Sequence, residues 1–275
     1  MAIVIPEVFS NAVNAAMDVA LRVGRLATDY TDMVDDITTY GGTVHFPTID
    51  RITDADVVEK GTALVPDEVS MTDSTAEIKQ VAKSVRIYEK DAIQVKGALK
   101  DKLAEQLGQG MAKAVDADLV NSIREEAAYK NETANLTAAE IDAAFDVFGD
   151  QVDNDLFAGI LINSKLRSTI TNMEAFTSAN KTYAANGNGI VRDGVIGLWN
   201  GTIPVIVSNN GTYADGKSML AIIKKDALGV IWQKQASTEE EREAKLLATD
   251  LVASELYATK LLHADGVSLL EVTSA

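Results

Sequence analysis

The stretch DAIQVKGALKDKLAEQLGQGMAKAVDADLVNSIREEAAY, residues 91–129, decides how the chain is read. Leu99, Leu103, Leu107, Met111, Val115, Leu119, Ile123 and Ala127 recur every fourth residue. At 3.6 residues per turn, each step of four overshoots a full turn by about 40°, so the apolar stripe winds around the helix. A coiled coil keeps its seam in place with a 3.5-residue repeat. This pattern instead predicts a helix that crosses several different elements. Asp91 is placed to cap it, and the rise per residue makes it more than about 50 Å long. Gly97, Gly108 and Gly110 weaken it and mark places where it can bend.

Working upstream, Ala76 to Tyr88 reads as a strand with Val81, Val85 and Ile87 on one face. Thr43 to Ile49 reads as its partner, with Val44 and Phe46 on one face; Pro47 lacks an amide hydrogen and makes it an edge strand. Between them, Asp50 to Ser74 is polar and acidic. The two strands form a long hairpin with nothing near it in sequence to cover it. Such an arm costs conformational entropy unless it packs on a neighbour. Residues 7–29 read as a docking helix, with Val8, Ala12, Ala15, Val19, Leu21, Val23 and Leu26 on a broad apolar face.

Downstream, Thr137-Ala138-Ala139-Glu140 is a capping box, followed by Ile141, Phe145 and Phe148 on one helical face and ended by Gly149. Phe157 to Ile162 is a buried strand, and Ser164 is placed to cap a short helix through Leu166, Ile170 and Met173. Residues 177–202 read as loops. Ile203 to Val207 and Met219 to Ile223 are short strands, Thr238 to Lys245 is a charged run, and Val267 to Val272 is a final strand. From 137 onward, helices and short strands alternate as in a mixed unit.

Composition narrows the function. The 275 residues are 47% hydrophobic and 24% charged, a soluble folded balance. Cysteine is absent, which excludes disulfides and thiolate metal ligands. The two histidines, His45 and His263, have no ligand-spaced neighbour. The first residues lack a basic segment and a long apolar run, so no signal peptide and no membrane span is expected; the protein is expected to be cytoplasmic when made. The net charge of −16 discourages non-specific nucleic-acid binding.

A search for chemistry returns little. Gly187-Asn188-Gly189 lacks the third glycine of a dinucleotide fingerprint, because Arg192 holds that place. No nucleophile elbow or triad is present. Asp150, Asp153 and Asp155 lack the glycine and distal glutamate of a calcium loop and read as a helix-to-strand connection. Glu239 to Glu243 reads as a solvated charge run. Lys79, Lys83, Arg86 and Lys90 form a basic strip along the return strand, open to three readings: a lysine-defended edge, a subunit contact or a DNA-phosphate contact. No catalytic, cofactor or metal site is expected.

The order of parts resembles the major capsid protein family of tailed bacteriophages, whose fold is shared with encapsulins and the floor of herpesvirus capsids. Tyr40 to Pro47 resembles the entry to that family's extended loop, Ile78 to Val85 its return strand, and Asp91-Ala92-Ile93 the start of its spine helix. Phe157 to Asn163, Gly197 to Val205 and Ala227-Leu228-Gly229 resemble its axial domain, and Ala258 to Val272 the closing strands of its peripheral domain. The resemblance spans residues 7–272. It implies an α+β fold with an N-terminal arm at 1–40 and an extended loop at 41–90. The spine and peripheral domain would take 91–136 and 249–275, and the axial domain 137–248. It implies a coat protein that self-assembles into pentamers and hexamers around double-stranded DNA. Its contact with the DNA would be loose; a portal and a decoration protein are candidate partners, and assembly would use either a separate scaffolding protein or none. Assembly would take place in the host cytoplasm. The long cleaved segment that some members carry is not expected here. Some relatives also cross-link a loop lysine to a neighbour's asparagine. Lys60 is the one lysine in the outer loop, and Asp54, Asp56 and Asp67 are expected to keep it charged and unreactive.

Three rivals compete with that reading. An encapsulin-type compartment shares the fold, and a cargo groove beside the first helix would favour it. A surface-layer protein is opposed by the missing secretion signal, and a hydrolase by the missing nucleophile and base.

Overall fold

The computed structural model describes residues 6–33, 42–49, 71–94, 98–173, 176, 195–210 and 217–273. At its centre lies α3, Ala98–Glu126. Leu107, Met111, Val115, Leu119, Ile123 and Ala127 are all buried, and Leu103 is partly so. The winding stripe has its predicted consequence, because α3 meets a different element on each side. One side packs against Leu251, Ala253 and Tyr257 of a four-stranded sheet. Another packs against Leu161, Ala221 and Leu269 of a six-stranded sheet. The helix ends earlier than predicted on its C-terminal side. Near its start, Asp91 lies inside α2 (Glu89–Gln94) and so does not hold a capping position; residues 95–97, between α2 and α3, lie outside the described residues. At the other end Ala128 N donates to Ala264 O at 3.0 Å. The chain then runs as β5, Tyr129–Thr133, parallel to β12, Val267–Val272. Pairing with a distant strand overrides the local helical pattern there.

The first helix, α1, spans Pro6–Ala20, and it too ends earlier than the sequence predicted. Phe9, Val13, Met17 and Leu21 repeat at four-residue spacing and face α3. Beyond Leu21 the amides of Arg22, Val23 and Gly24 turn to the carboxylate of Asp116 on α3, with contacts of 3.1, 3.0 and 3.0 Å. This replaces the helical ladder, and Val23 and Leu26 reach the core from a tight turn instead. Where the two helices cross, Gly108 permits the approach: a Cβ there would lie 2.6 Å from Val13 O and 2.8 Å from Met17 N.

The four-stranded sheet has the order β1-β10-β11-β4, with β1 at Thr28–Asp29, β4 at Lys79–Tyr88, β10 at Leu228–Glu243 and β11 at Ala248–Leu261. The hairpin base is β2 (Thr43–Ile49) with β3 (Met71–Glu77). The return strand is not one element. At Ile78, whose N–H donates to Gly42 O at 2.9 Å, the chain leaves β2 and joins β11 as β4. Nor is the hairpin base uncovered. Val44, Phe46 and Ala76 pack on Ile231 and Ala258, and Tyr30 meets Phe46 edge-on at 6.0 Å. The cover comes from the β10–β11 pair, about 150 residues or more away in sequence, where local reading could not find it. Residues 50–70 lie outside the described residues.

The six-stranded sheet has the order β5-β12-β9-β6-β8-β7, adding β6 (Phe157–Ile162), β7 (Val195–Trp199), β8 (Ile203–Val207) and β9 (Ser218–Lys224). Alternate residues of a strand face opposite sides. Leu161, Ala221 and Ile223 accordingly face the spine, while Ile160, Ile162, Leu220 and Ile222 face a second core built by α4 and α5. Helix α4, Ala138–Asp146, is capped by Thr137, whose hydroxyl accepts from Glu140 N at 3.4 Å. Gly149 takes φ +57 beyond it, a left-handed value glycine adopts readily. Before α5, Arg167–Asn172, the short turn Ser164–Leu166 is capped by Asn163, which accepts from Lys165 N at 3.0 Å; the cap is therefore one residue earlier than the predicted Ser164.

The charged run 239–243 is mostly exposed, as a solvated face should be, and it is the far end of β10, paired to β11. That hairpin, Leu228–Leu261, runs across position 248/249. Val267–Val272 belongs to the six-stranded sheet, not to the unit of β11. Residues 195–199, read as loop, are strand β7.

Candidate assembly surface

The surface that stands out chemically is the β4 side of the four-stranded sheet and the tip of β10–β11. β4 pairs only with β11, and no other described strand lies against its far edge. The register Tyr88↔Ala248 to Lys79↔Tyr257 runs without a bulge. Lys79 and Lys83 therefore share the spine-facing side with Val81 and Val85, while Arg86 points to the opposite side. Lys90 lies beyond the strand, in α2. The four residues read from sequence as one strip occupy three settings.

Two of them are committed inside the subunit. Arg86 donates from Nε and Nη2 to the two oxygens of Asp250, both at 2.7 Å, and from Nη2 to Glu243 at 2.9 Å. This fork holds the Asp250 carboxyl below the ordinary carboxylate range. Lys79 lies 3.0 Å from Asp118 on α3. Asp118 also accepts from the hydroxyl of Tyr257 at 2.8 Å, and burial together with that carboxylate pushes the Tyr257 phenol up. Lys83 and Lys90 hold no ion pair among the described residues. Lys60 and Gly187 to Gly189 lie outside the described residues.

At the tip, Tyr88, Leu246 and Leu247 are exposed. Leu247 takes φ +49, and its carbonyl accepts from Glu89 N at 2.9 Å, which fixes the turn against the start of α2. Arg242 pairs with Glu89 beside it.

A second feature was missed in the sequence. Asp116 is fully buried inside the apolar stripe of α3. It gathers the three amides of residues 22–24 and the side-chain amide of Asn210, 3.0 Å away, just past β8. One carboxylate thus joins the first segment, the spine and the six-stranded sheet. Burial pushes its carboxyl up, and the four donors pull it back. The signal was present, since Asp116 interrupts an otherwise apolar face between Val115 and Leu119. Beside it an open groove of about 790 Å³ is lined by residues that include Ala16, Val19, Arg22, Glu105, Lys113 and Asn209.

No group of three or more metal-binding side chains occurs among the described residues, and no described helix is long and apolar enough to cross a membrane. The family model described as "Phage capsid protein" matches residues 72–267, most of the chain. The chain belongs to the phage capsid protein family. This capsid protein is a structural component of the virion shell and not an enzyme. A search of curated proteins by sequence finds no match. Solved structures show the same fold. A chain from Mycobacterium phage Che8 is 18% identical, with 89% of each chain covered and a TM-score of 0.61. The head of Helicobacter pylori bacteriophage KHP40 is 13% identical, covering 90% of this chain and 87% of that one, with a TM-score of 0.65. A virus-like particle from Pyrococcus furiosus is 12% identical, covering 96% and 98%, with a TM-score of 0.60.

Proposed function

We propose that this capsid protein is the major head subunit, forming pentamers and hexamers that tile an icosahedral shell around double-stranded DNA. The family match over residues 72–267 carries this reading. The far edge of β4 and the apolar tip at Tyr88, Leu246 and Leu247 supply surfaces that suit neighbouring copies. In this reading the six-stranded sheet with α4 and α5 is the axial unit. The spine and the four-stranded sheet form the peripheral unit, 1–40 is the arm and 41–90 the extended loop. The net charge of −16 keeps contact with DNA loose, through Lys83, Lys90 and counterions. In this reading a portal and a decoration protein complete the head, which assembles in the host cytoplasm either on a separate scaffolding protein or without one.

Electron microscopy of the purified protein is expected to show closed particles of uniform size. Boiled in denaturant, these should run as a single band near 29.4 kDa, because Lys60 forms no cross-link. Light scattering that finds only a compact monomer at every salt and pH would overturn the assembly. A ladder of bands abolished by Lys60→Ala would overturn the absence of cross-linking. A second reading is an encapsulin-type compartment, in which the groove beside α1 would receive a cargo segment. Particle contents separate the two, nucleic acid for a phage head and an enzyme for a compartment.

A further inference from the structure

Glu255 lies in the middle of β11 on the face that carries Leu251, Ala253 and Tyr257 toward the spine. It is 0% exposed, and neither carboxylate oxygen has a donor. Such a group is costly to bury as an anion. The opposite strand bulges at this point: between Lys234↔Leu256 and Ser237↔Ser254, Gln235 and Ala236 stand against the single residue Glu255. Asn14 of α1 donates to Ala236 O in that bulge at 3.1 Å, and its own Oδ1 is buried without a donor. The seam therefore collects acceptors and lacks a hydrogen.

The charged and titratable groups around it do not supply one. On β11, Tyr257 is engaged with Asp118. On α3, Asp118 is engaged with Lys79 of β4. Across the β4 register, Glu255 stands opposite Val81, flanked on the same face by Lys79 and Lys83; Lys83 is exposed and makes no ion pair among the described residues. From α1 come only the neutral Ser10 and Asn14, and from β10 the exposed Lys234 stands opposite Leu256, on the other face. We propose that Glu255 is a proton latch: protonated, it closes the β10–β11 hairpin against the spine helix, and ionised, it loosens that seam. Burial pushes its carboxyl up to about 7. The sign follows from linkage. The closed seam holds a proton that an opened chain releases at the ordinary glutamate value of about 4.3, so closure is strongest below that value. It weakens as pH rises toward 7 and changes no further above it.

Trp232 reports on the seam, because its ring centroid lies 5.7 Å from that of Tyr257. With Trp199→Phe removing the other tryptophan, Trp232 fluorescence is expected to change with a midpoint near pH 7. Glu255→Gln, neutral at every pH, should abolish that step and hold the low-pH signal throughout. A step that persists in Glu255→Gln would overturn the latch. Should that variant fail to fold, carbon-13 titration of the glutamate carboxyls in the unaltered chain decides the matter. A Glu255 midpoint near 7 supports the proposal, and one near about 4.3 overturns it.

Discussion

The six-stranded sheet and the four-stranded sheet share one helix but solve burial differently. In the first, β6 and β9 are covered on both faces, by the spine on one side and by α4 and α5 on the other. Its runs FAGILI, residues 157–162, and MLAII, residues 219–223, are continuously apolar, as strands buried on both faces are. In the second, β11 alternates. Leu251, Ala253 and Tyr257 face inward, while Asp250, Val252 and Ser254 are partly exposed. The outer face of that sheet is held by ion pairs such as Arg86 with Asp250 and Glu243, and its tip leaves Tyr88, Leu246 and Leu247 in solvent. One region completes itself inside the subunit. The other, partly covered on its outer face by the β2–β3 hairpin base, leaves the tip and the far edge of β4 without a partner among the described residues, which is what a shell-building protein requires of part of its surface.

The largest expected effect tests the helix on which both depend. Leu119→Ala empties a fully buried position on α3 and should cost roughly 2–5 kcal/mol, losing both sheets in one transition. Denaturant unfolding checks this. A loss below about 0.5 kcal/mol would show that the spine core does not bear on stability. Next comes Gly108→Ala. In an exposed helix, alanine is the better former by about 1 kcal/mol. Here the added Cβ would meet backbone at 2.6 and 2.8 Å, and backbone cannot yield as a side chain does. The clash should win, with a loss of about 1–3 kcal/mol concentrated where α1 docks. Hydrogen exchange should show α1 losing protection before the six-stranded sheet does.

Arg86→Ala should have the smallest effect on the subunit, because its ion pairs are solvent-exposed and screened by salt. The Asp250 carboxyl is held below its ordinary value, so the pair's contribution is present above about pH 4 and fades as pH falls through the lowered value. Thermal melts of wild type and variant should therefore converge in strong acid and in high salt. Any larger change in particle yield than in subunit melting would assign Arg86 to the contact between copies.

Elements with strong local periodicity were legible beforehand. The stripe of α3, the capped α4 with Phe145 and Phe148, the inward pair Val44 and Phe46, and the strands at 157, 203 and 219 all stand where the pattern put them. The far end of β10 was not legible. Glu239 to Glu243 have poor strand propensity, and they are strand because β11 pairs with them. The placement of the basic residues was not legible for a related reason: spacing along the chain does not say which side of a strand each residue occupies until the register is known.

The sequence by itself determined the spine, the alternation of helices and short strands, the absence of cysteine chemistry and the resemblance to phage coat proteins. These follow from interactions within a few turns, from composition, or from the order of segments. Only the tertiary structure decided where helices stop, which sheet β12 joins, that Asp116 gathers three segments, and that Glu255 is sealed without a donor. Each depends on groups more than about 40 residues apart in the chain, or on a whole packed surface, and a buried polar atom's surroundings come into being only when those distant segments close around it.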